Sequence, residues 1–167
     1  MEIRGAASPE EAETVARELR DQGVQLLDLC GGFDEALTAR VVTAVEGKIP
    51  VGAVRLAPEE IRRSAPSSRY GFVFKGPGMA SERCRCTFEA PNFSLEIRGV
   101  GSPEEGERVS RELRDGGVEL LGLCGGFHEA LTARVVAAVE DQIPVGAVRY
   151  APEERAKLTR FLELPEA

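Results

Sequence analysis

The sequence predicts an α/β protein made by tandem duplication of βαβαβ-type units, with mainly parallel strands flanked by helices. Two observations predict this fold. Residues 2–60 match residues 96–154 at a constant offset of 94 residues, and most aligned positions are identical. Within each copy, apolar strand-like runs alternate with helical patterns, as in βαβ units of a parallel sheet. A chain of 167 residues is long enough to bury a sizeable core.

Each copy starts its first helix with the same signal. In the second copy Ser102 is the predicted N-cap, Pro103 takes the first helical position, and Glu105 completes a capping box three residues after the cap. Gly117 is placed to end this helix. The first copy repeats all four residues at the same offset, starting from Ser8. The spacing therefore predicts one surface helix per copy at this place.

The next predicted strand, VELLGLC, runs from Val118 to Cys124 and is apolar at almost every inner position. This pattern is typical of a strand that helices cover on both faces, so we expect it in the middle of the sheet. The chain then enters a Cys-Gly-Gly-Phe turn and a helix, and IPVGAVR from Ile143 to Arg149 forms another buried strand. A final amphipathic helix is predicted, with three apolar residues toward the core: Leu158, Phe161 and Leu162.

The predicted organisation is a first repeat unit over 1–60, a linker over 61–69, and a second unit over 70–167. The second unit has an extra leading strand, YGFVF, whereas the first copy begins with its counterpart of the strand LEIRGV. The stretch KGPGMASERCRCTFEAPNF is predicted to be a loop region, either without regular structure or with one short helix. Because a missing strand leaves backbone groups open along a sheet edge, we expect the other unit or a second chain to cover it, the latter as a homo-oligomer.

Composition excludes several classes of protein. Apolar residues make up 43% of the chain and charged residues 29%, as in ordinary globular proteins. A net charge of -7 argues against a nucleic-acid partner, which requires clustered Lys and Arg. No run approaches the roughly 18 apolar residues that span a bilayer, so no membrane partner is expected. The acidic N-terminus lacks the apolar region of a secretion signal, and we therefore expect a cytoplasmic location.

The four cysteines do not form a convincing metal motif. Cys30 and Cys124 are repeat equivalents, while Cys84 and Cys86 lie between the copies. A single CxC with one His in the chain is weak compared with paired CxxC motifs. We therefore expect reduced thiols, no metal and no cofactor.

Candidate binding residues cluster at the predicted carboxyl ends of the strands, where open parallel sheets bind ligands. In the second copy these are basic, thiol, glycine and first-turn residues: Lys75, Arg98, Cys124, Gly125, Gly126, Phe127, His128 and Arg149. The first copy offers a similar set without a counterpart of Lys75: Arg4, Cys30, Gly31, Gly32, Phe33 and Arg55.

This pattern has two interpretations. Gly125 and Gly126 let backbone amides at a helix start approach an anion closely, and Arg98 and Arg149 offer fork-shaped donors to a phosphate or carboxylate. Alternatively, the glycines only permit a tight turn and the arginines pair with surface glutamates. Neither GxGxxG nor GxxxxGK[ST] is present. The leading hypothesis is a binding module for a small anionic metabolite that bears a phosphate or a carboxylate.

Two further hypotheses belong to other classes. In an enzyme, the helix start would lower the pKa of Cys124, and His128 would act as its base. The first copy has Asp34 at the His128 position, however, and a cysteine ending an apolar strand is also a common core filler. Phe33 and Phe127 either line a pocket or pack under the sheet edge. In an assembly protein without a ligand, the duplication would replace a homodimer.

The run from Phe72 to Tyr150 contains FVFKGPG, TFEAPNF, the SPEE helix start, LCGGF and IPVGAVRY. In these motifs it resembles a family of short bacterial α/β proteins known only as a domain of unknown function. The resemblance covers the second unit nearly whole and the first unit from its second strand onward. It implies an α/β fold and no particular activity.

Overall fold

The computed structural model describes residues 2–64 and 67–163, with side chains described as far as Arg160. In this part of the chain, helices and mostly parallel strands alternate, so the predicted α/β class is confirmed. The strands are β1 (Leu27–Leu29), β2 (Val51–Leu56), β3 (Arg69–Lys75), β4 (Arg85–Ala90), β5 (Phe93–Val100), β6 (Leu120–Leu123) and β7 (Val145–Arg149). The helices are α1 (Pro9–Asp21), α2 (Glu35–Ala44), α3 (Pro58–Arg63), α4 (Pro103–Asp115), α5 (Glu129–Ala138) and α6 (Pro152–Glu163).

The first helix of each copy starts and ends where the sequence predicts. At α4, the Ser102 hydroxyl accepts a hydrogen bond from the Glu105 backbone N–H at 3.2 Å. The Glu105 carboxylate accepts from the Gly101 N–H at 2.8 Å, so the reciprocal bond reaches the residue before the cap. Gly117 follows the helix with φ +88, a conformation that favours glycine.

One compact unit contains residues 54–148, and the term second unit refers to this range from here on. Within it β6 pairs in parallel with β3 on one side and with β7 on the other, which confirms its predicted interior position. Leu121 and Leu123 of β6 are fully buried, together with Val109 of α4 and Val135 of α5. The two helices therefore cover one face of these strands.

The prediction of a loop region before the second copy was wrong for the second half of this segment. β4 (Arg85–Ala90) pairs antiparallel with β5, with Arg85 opposite Arg98. All six residues of β4 are exposed, including Phe88 at 41%. The residues of β4 do alternate between polar and apolar, from Arg85 and Cys86 to Glu89 and Ala90, so the period of a strand was present in the sequence although neither face is buried.

The other compact unit, called the first unit from here on, consists of the described residues within 1–53 and 149–167. In it β1 pairs in parallel with β2, with Leu27 opposite Val51. Val41 and Val45, at the end of α2, are fully buried in its core. Residues 2–7, the counterpart of β5, form no strand. A strand needs a neighbour to pair with, and no strand among the described residues pairs with this segment.

The last helix of each copy lies in the compact unit that contains strands of the other copy. Helix α3 ends the first copy but lies in the second unit with β7, and α6 ends the second copy but lies in the first unit with β1. The predicted final helix is confirmed as α6, where Leu158 is half-buried. The other two apolar residues predicted for it, Phe161 and Leu162, have side chains outside the described part. Among the described helices, none combines the length and the apolar character that crossing a bilayer requires.

Candidate functional site

The Cys-Gly-Gly-Phe turn of the second copy joins the end of β6 to the start of α5. Its first residue, Cys124, donates its backbone N–H to the Val73 carbonyl of β3 at 3.0 Å. The turn closes when the Phe127 N–H donates to the Cys124 carbonyl, also at 3.0 Å. Gly125 and Gly126 are exposed between these two anchors. Backbone at this position is therefore open to a ligand.

Lys75 lies beside this turn because β3 and β6 are parallel neighbours that end together. Its backbone N–H donates to the Cys124 sulfur at 3.2 Å. A Cβ added to Gly126 would lie 3.4 Å from the Lys75 carbonyl oxygen. The structure thus brings Lys75 together with the glycine pair, in the arrangement that the sequence led us to expect.

Cys124 and Phe127 serve packing in this turn. Cys124 is 8% exposed and Phe127 is fully buried, and both belong to the core of the second unit. A Cβ on Gly106 of α4 would lie 3.0 Å from the Phe127 ring, so the ring is seated against that helix. Phe127 therefore anchors the turn from below and does not form an accessible wall.

The two copies differ at the first position of the following helix. In the first copy the Asp34 carboxylate accepts a hydrogen bond from the Leu37 N–H at 2.7 Å and caps α2. In the second copy His128 occupies the N-cap of α5 and makes no side-chain capping bond. Its side chain is exposed. The start of α2 thus carries its own carboxylate, whereas the start of α5 carries an imidazole.

Arg98 and Arg4 are engaged in local ion pairs. Arg98 donates to the Glu96 carboxylate at 2.7 Å, and its side chain is only 14% exposed. Arg4 makes the equivalent contact with Glu2 at 2.6 Å. The alternative interpretation, in which the arginines pair with glutamates, therefore describes these two residues.

Arg149 is the last residue of β7 and Arg55 is the next-to-last residue of β2, and both are half-buried. Arg149 belongs to the first compact unit, whereas the Cys124 turn lies in the second. Arg55 belongs to the second unit and donates to the Val54 carbonyl at 3.2 Å. The candidate site described here consequently consists of residues of the second unit alone, without Arg149.

The turn of the first copy is more open. Cys30, Gly31 and Gly32 are exposed and Phe33 is half-buried. The Phe33 N–H still donates to the Cys30 carbonyl, at 3.3 Å, so the local turn is the same. What differs is the surroundings, since among the described strands β1 pairs with β2 alone, whereas β6 pairs with both β3 and β7.

One contact near the first turn was not foreseen. The Tyr150 hydroxyl donates to the Asp28 carboxylate at 2.5 Å within the first unit. The counterparts of these residues are Leu56 and Gly122, so the signal available in the sequence was a paired difference between nearly identical copies. In the described part of the chain, no group of three or more His, Cys, Asp or Glu side chains is arranged to hold a metal ion.

These features define a class: a tandem-repeat α/β protein with a glycine turn at the start of a helix. The chain belongs to the family of unknown function DUF6506, which matches residues 1–67 and again residues 68–163. Two matches in succession are consistent with the tandem duplication and with the family resemblance of the motifs.

The remaining comparisons give only distant similarity, and no curated protein matches the chain. One similar solved structure is an ABC transporter system solute-binding protein from Conexibacter woesei, with 18% identity, a TM-score of 0.34, and coverage of 93% of this chain and 62% of that one. Another is the transcription regulator CcpA of Lactococcus lactis, with 12% identity, a TM-score of 0.30, and coverage of 81% and 59%. The chain thus spans about three fifths of the length of each.

Proposed function

We propose that the second copy is a binding module for a small anion that bears a phosphate or a carboxylate. The binding element is the turn from Gly125 to His128 with the start of α5. The observation that carries this proposal is the difference between the two helix starts. Asp34 caps α2 with a carboxylate, whereas His128 leaves the start of α5 without a side-chain cap.

The physical reason lies in the backbone of a helix start. The first amides of a helix have no partner within the helix, and the helix dipole favours negative charge there. An anion from solution can therefore take at α5 the role that Asp34 takes at α2. A capping interaction of this kind contributes about 1 kcal/mol on its own. Useful affinity therefore needs additional contacts.

The neighbouring residues supply two such contacts. Gly125 and Gly126 have no side chains to shield their amides, and both are exposed. Lys75 ends the adjacent strand beside Gly126 and is half-buried, so it brings a cation to the same edge. The exposed His128 imidazole adds a further N–H donor. Together these groups favour a compact anion over a large or neutral ligand.

The test is a titration of the ¹⁵N-labelled full chain with inorganic phosphate and, separately, with acetate. We expect saturable shifts of the Gly125 and Gly126 amides and of the first amides of α5. His128→Asp should abolish these shifts, because it places in α5 the carboxylate that α2 already carries. Lys75→Ala should weaken phosphate binding at least about tenfold, which corresponds to one charge-assisted hydrogen bond.

Asp34→His is the matched control, since it makes the reciprocal exchange in the first copy and should leave phosphate binding at the second turn unchanged. Wild-type shifts that persist in His128→Asp would overturn the proposal. So would the absence of any shift at this turn at tens of millimolar phosphate.

The enzyme hypothesis receives less support. A nucleophilic thiolate must be accessible and stabilised as an anion. Cys124 is 8% exposed, and its sulfur accepts the Lys75 N–H as part of the join between two strands. These contacts favour the core-filler role for this thiol, and binding without turnover is therefore our proposal.

A further inference from the structure

Identical side chains are buried to different degrees in the two copies. Six of them are buried in the second unit but half-buried or exposed in the first: Ile3, Val15, Val24, Leu29, Cys30 and Phe33. Their buried counterparts are Ile97, Val109, Val118, Leu123, Cys124 and Phe127. The residue types are the same, so the difference comes from their surroundings. The first copy has Ala12 where Gly106 lies against Phe127, and the second unit has a neighbouring strand with no counterpart among the described residues of the first.

That neighbour is β3. It pairs with β6, and a Cβ added to its Gly71 would lie 3.0 Å from Leu121 and 3.1 Å from Val118. It also accepts the Cys124 N–H and donates to the Cys124 sulfur. In the first unit the counterpart of β6 is β1, which pairs with β2 and with no other strand of the described residues.

We infer that the outer edge of β1 is a strand-addition site for an extended segment of a partner polypeptide. The segment would run parallel to β1, as β3 runs parallel to β6. Main-chain hydrogen bonds would supply affinity, and burial of the half-exposed apolar side chains beside the edge would add to it. The inference is independent of the anion proposed for the second copy.

The side chains of the segment follow from the lining of the edge. On the helix-covered face β3 presents small residues, Gly71 and Val73, against side chains that are identical in the first unit. On the opposite face, Phe72 lies over Gly122. In the first unit Asp28 replaces Gly122, is exposed, and accepts a hydrogen bond from the Tyr150 hydroxyl. A Lys or Arg at the Phe72 position would complement that carboxylate.

A segment with the sequence of β3 itself would not fit beside β1. A Cβ at Gly122 would lie 2.0 Å from the Tyr70 hydroxyl oxygen and 2.9 Å from Phe72. An aspartate at the equivalent place therefore excludes these two aromatic rings. The partner segment that the edge favours has small apolar residues on one face and a cation opposite Asp28.

The probe for the test is a fluorescent synthetic peptide of residues 68–76 with Tyr70→Ser and Phe72→Lys. Its dissociation constant for the full chain is measured by anisotropy. The reporter is Cys30, whose counterpart Cys124 is buried by β3. At peptide concentrations ten times the dissociation constant, reaction of Cys30 with a thiol reagent should slow about tenfold, in proportion to the unoccupied fraction. The exposed Cys86 is the internal control and should react at its original rate.

A charge exchange makes the result specific. A peptide with Phe72→Glu should bind Asp28 protein at least tenfold more weakly, and Asp28→Lys protein should regain binding to it. Recovery in the exchanged pair also shows that the variant is folded. Equal binding of both peptides, or no protection of Cys30 at millimolar peptide, would overturn the inference. Protection that rises with protein concentration alone would overturn it too, because the occupant would then be a second copy of this chain.

Discussion

Glu154 of α6 accepts a hydrogen bond from the backbone N–H of Val51 at 2.9 Å, although Glu154 is only 4% exposed. Glu60 of α3 makes the same bond to the first residue of β7, Val145, at 2.8 Å. Each carboxylate also pairs with a base three residues later in its own helix. The helix that ends one copy thus completes the hydrogen bonding of a strand that belongs to the other copy.

This relationship predicts that Glu154 stabilises the fold. Glu154→Ala leaves the buried Val51 N–H without its acceptor and removes the ion pair with Lys157, which has a separation of 2.5 Å. We expect a loss of about 2 to 4 kcal/mol in the free energy of unfolding. Urea titration followed by circular dichroism measures this loss.

Glu153→Ala is the matched control, because Glu153 lies on the same helix and is exposed. It should change the free energy of unfolding by no more than about 0.5 kcal/mol. A Glu154→Ala protein as stable as this control would show that the buried bond contributes nothing net.

The burial of Glu60 and Glu154 could not be predicted from the sequence. Both lie in PEE segments, where an acid in the first turn of a helix is explained by the helix dipole. Nothing local distinguishes Glu60 from the exposed Glu59. Only packing against a strand more than eighty residues away buries one acid and not the other. Long-range placement of this kind has no local pattern.

The helix starts, the central strand and the glycine turn were predictable because each has a local cause. Ser102 and Glu105 are a cap and its partner, and β6 is apolar because residues on both of its faces are buried. At the candidate site, Lys75 could be placed beside Gly126 because parallel neighbours end together. The sequence could not show in this way whether Arg98 contributes to the site or pairs with a glutamate. Its partner, Glu96, lies two residues away on the same strand.

Glu105 predicts a pH dependence of stability. The backbone N–H groups of Gly101 and Ser81 donate to its carboxylate and hold its pKa below the ordinary value of 4.5. Because the folded state binds the proton less readily than the unfolded state, this stabilisation is present above the unfolded pKa and is lost as the pH falls through the folded pKa. Glu105→Gln should therefore flatten the decline of stability below about pH 4.5.

Thermal unfolding of both proteins between pH 7 and pH 3 gives the comparison. Glu11→Gln is the control from the first copy, where the carboxylate accepts from Ala7 at the corresponding place. Because Ser81 has no counterpart in the first copy, this substitution should have a smaller effect. Parallel curves for wild type and Glu105→Gln at low pH would contradict the prediction.

Gly122 should not tolerate the residue that the first copy carries at the same position. In Gly122→Asp the new Cβ would approach the Tyr70 hydroxyl oxygen to 2.0 Å, and the carboxylate would enter a buried site. Steric displacement and burial of an unpaired charge act together, so we expect a loss of at least about 3 kcal/mol in a urea titration. The reverse exchange, Asp28→Gly, removes the bond from Tyr150 at an exposed position and should cost about 1 kcal/mol. The loss in Gly122→Ala should fall between the two. Adding Tyr70→Phe to Gly122→Ala should recover part of that loss, because the closest atom is removed.

If Gly122→Asp were as stable as Asp28→Gly, the two copies would be interchangeable here, and the aromatic cover of Gly122 would not explain why they differ.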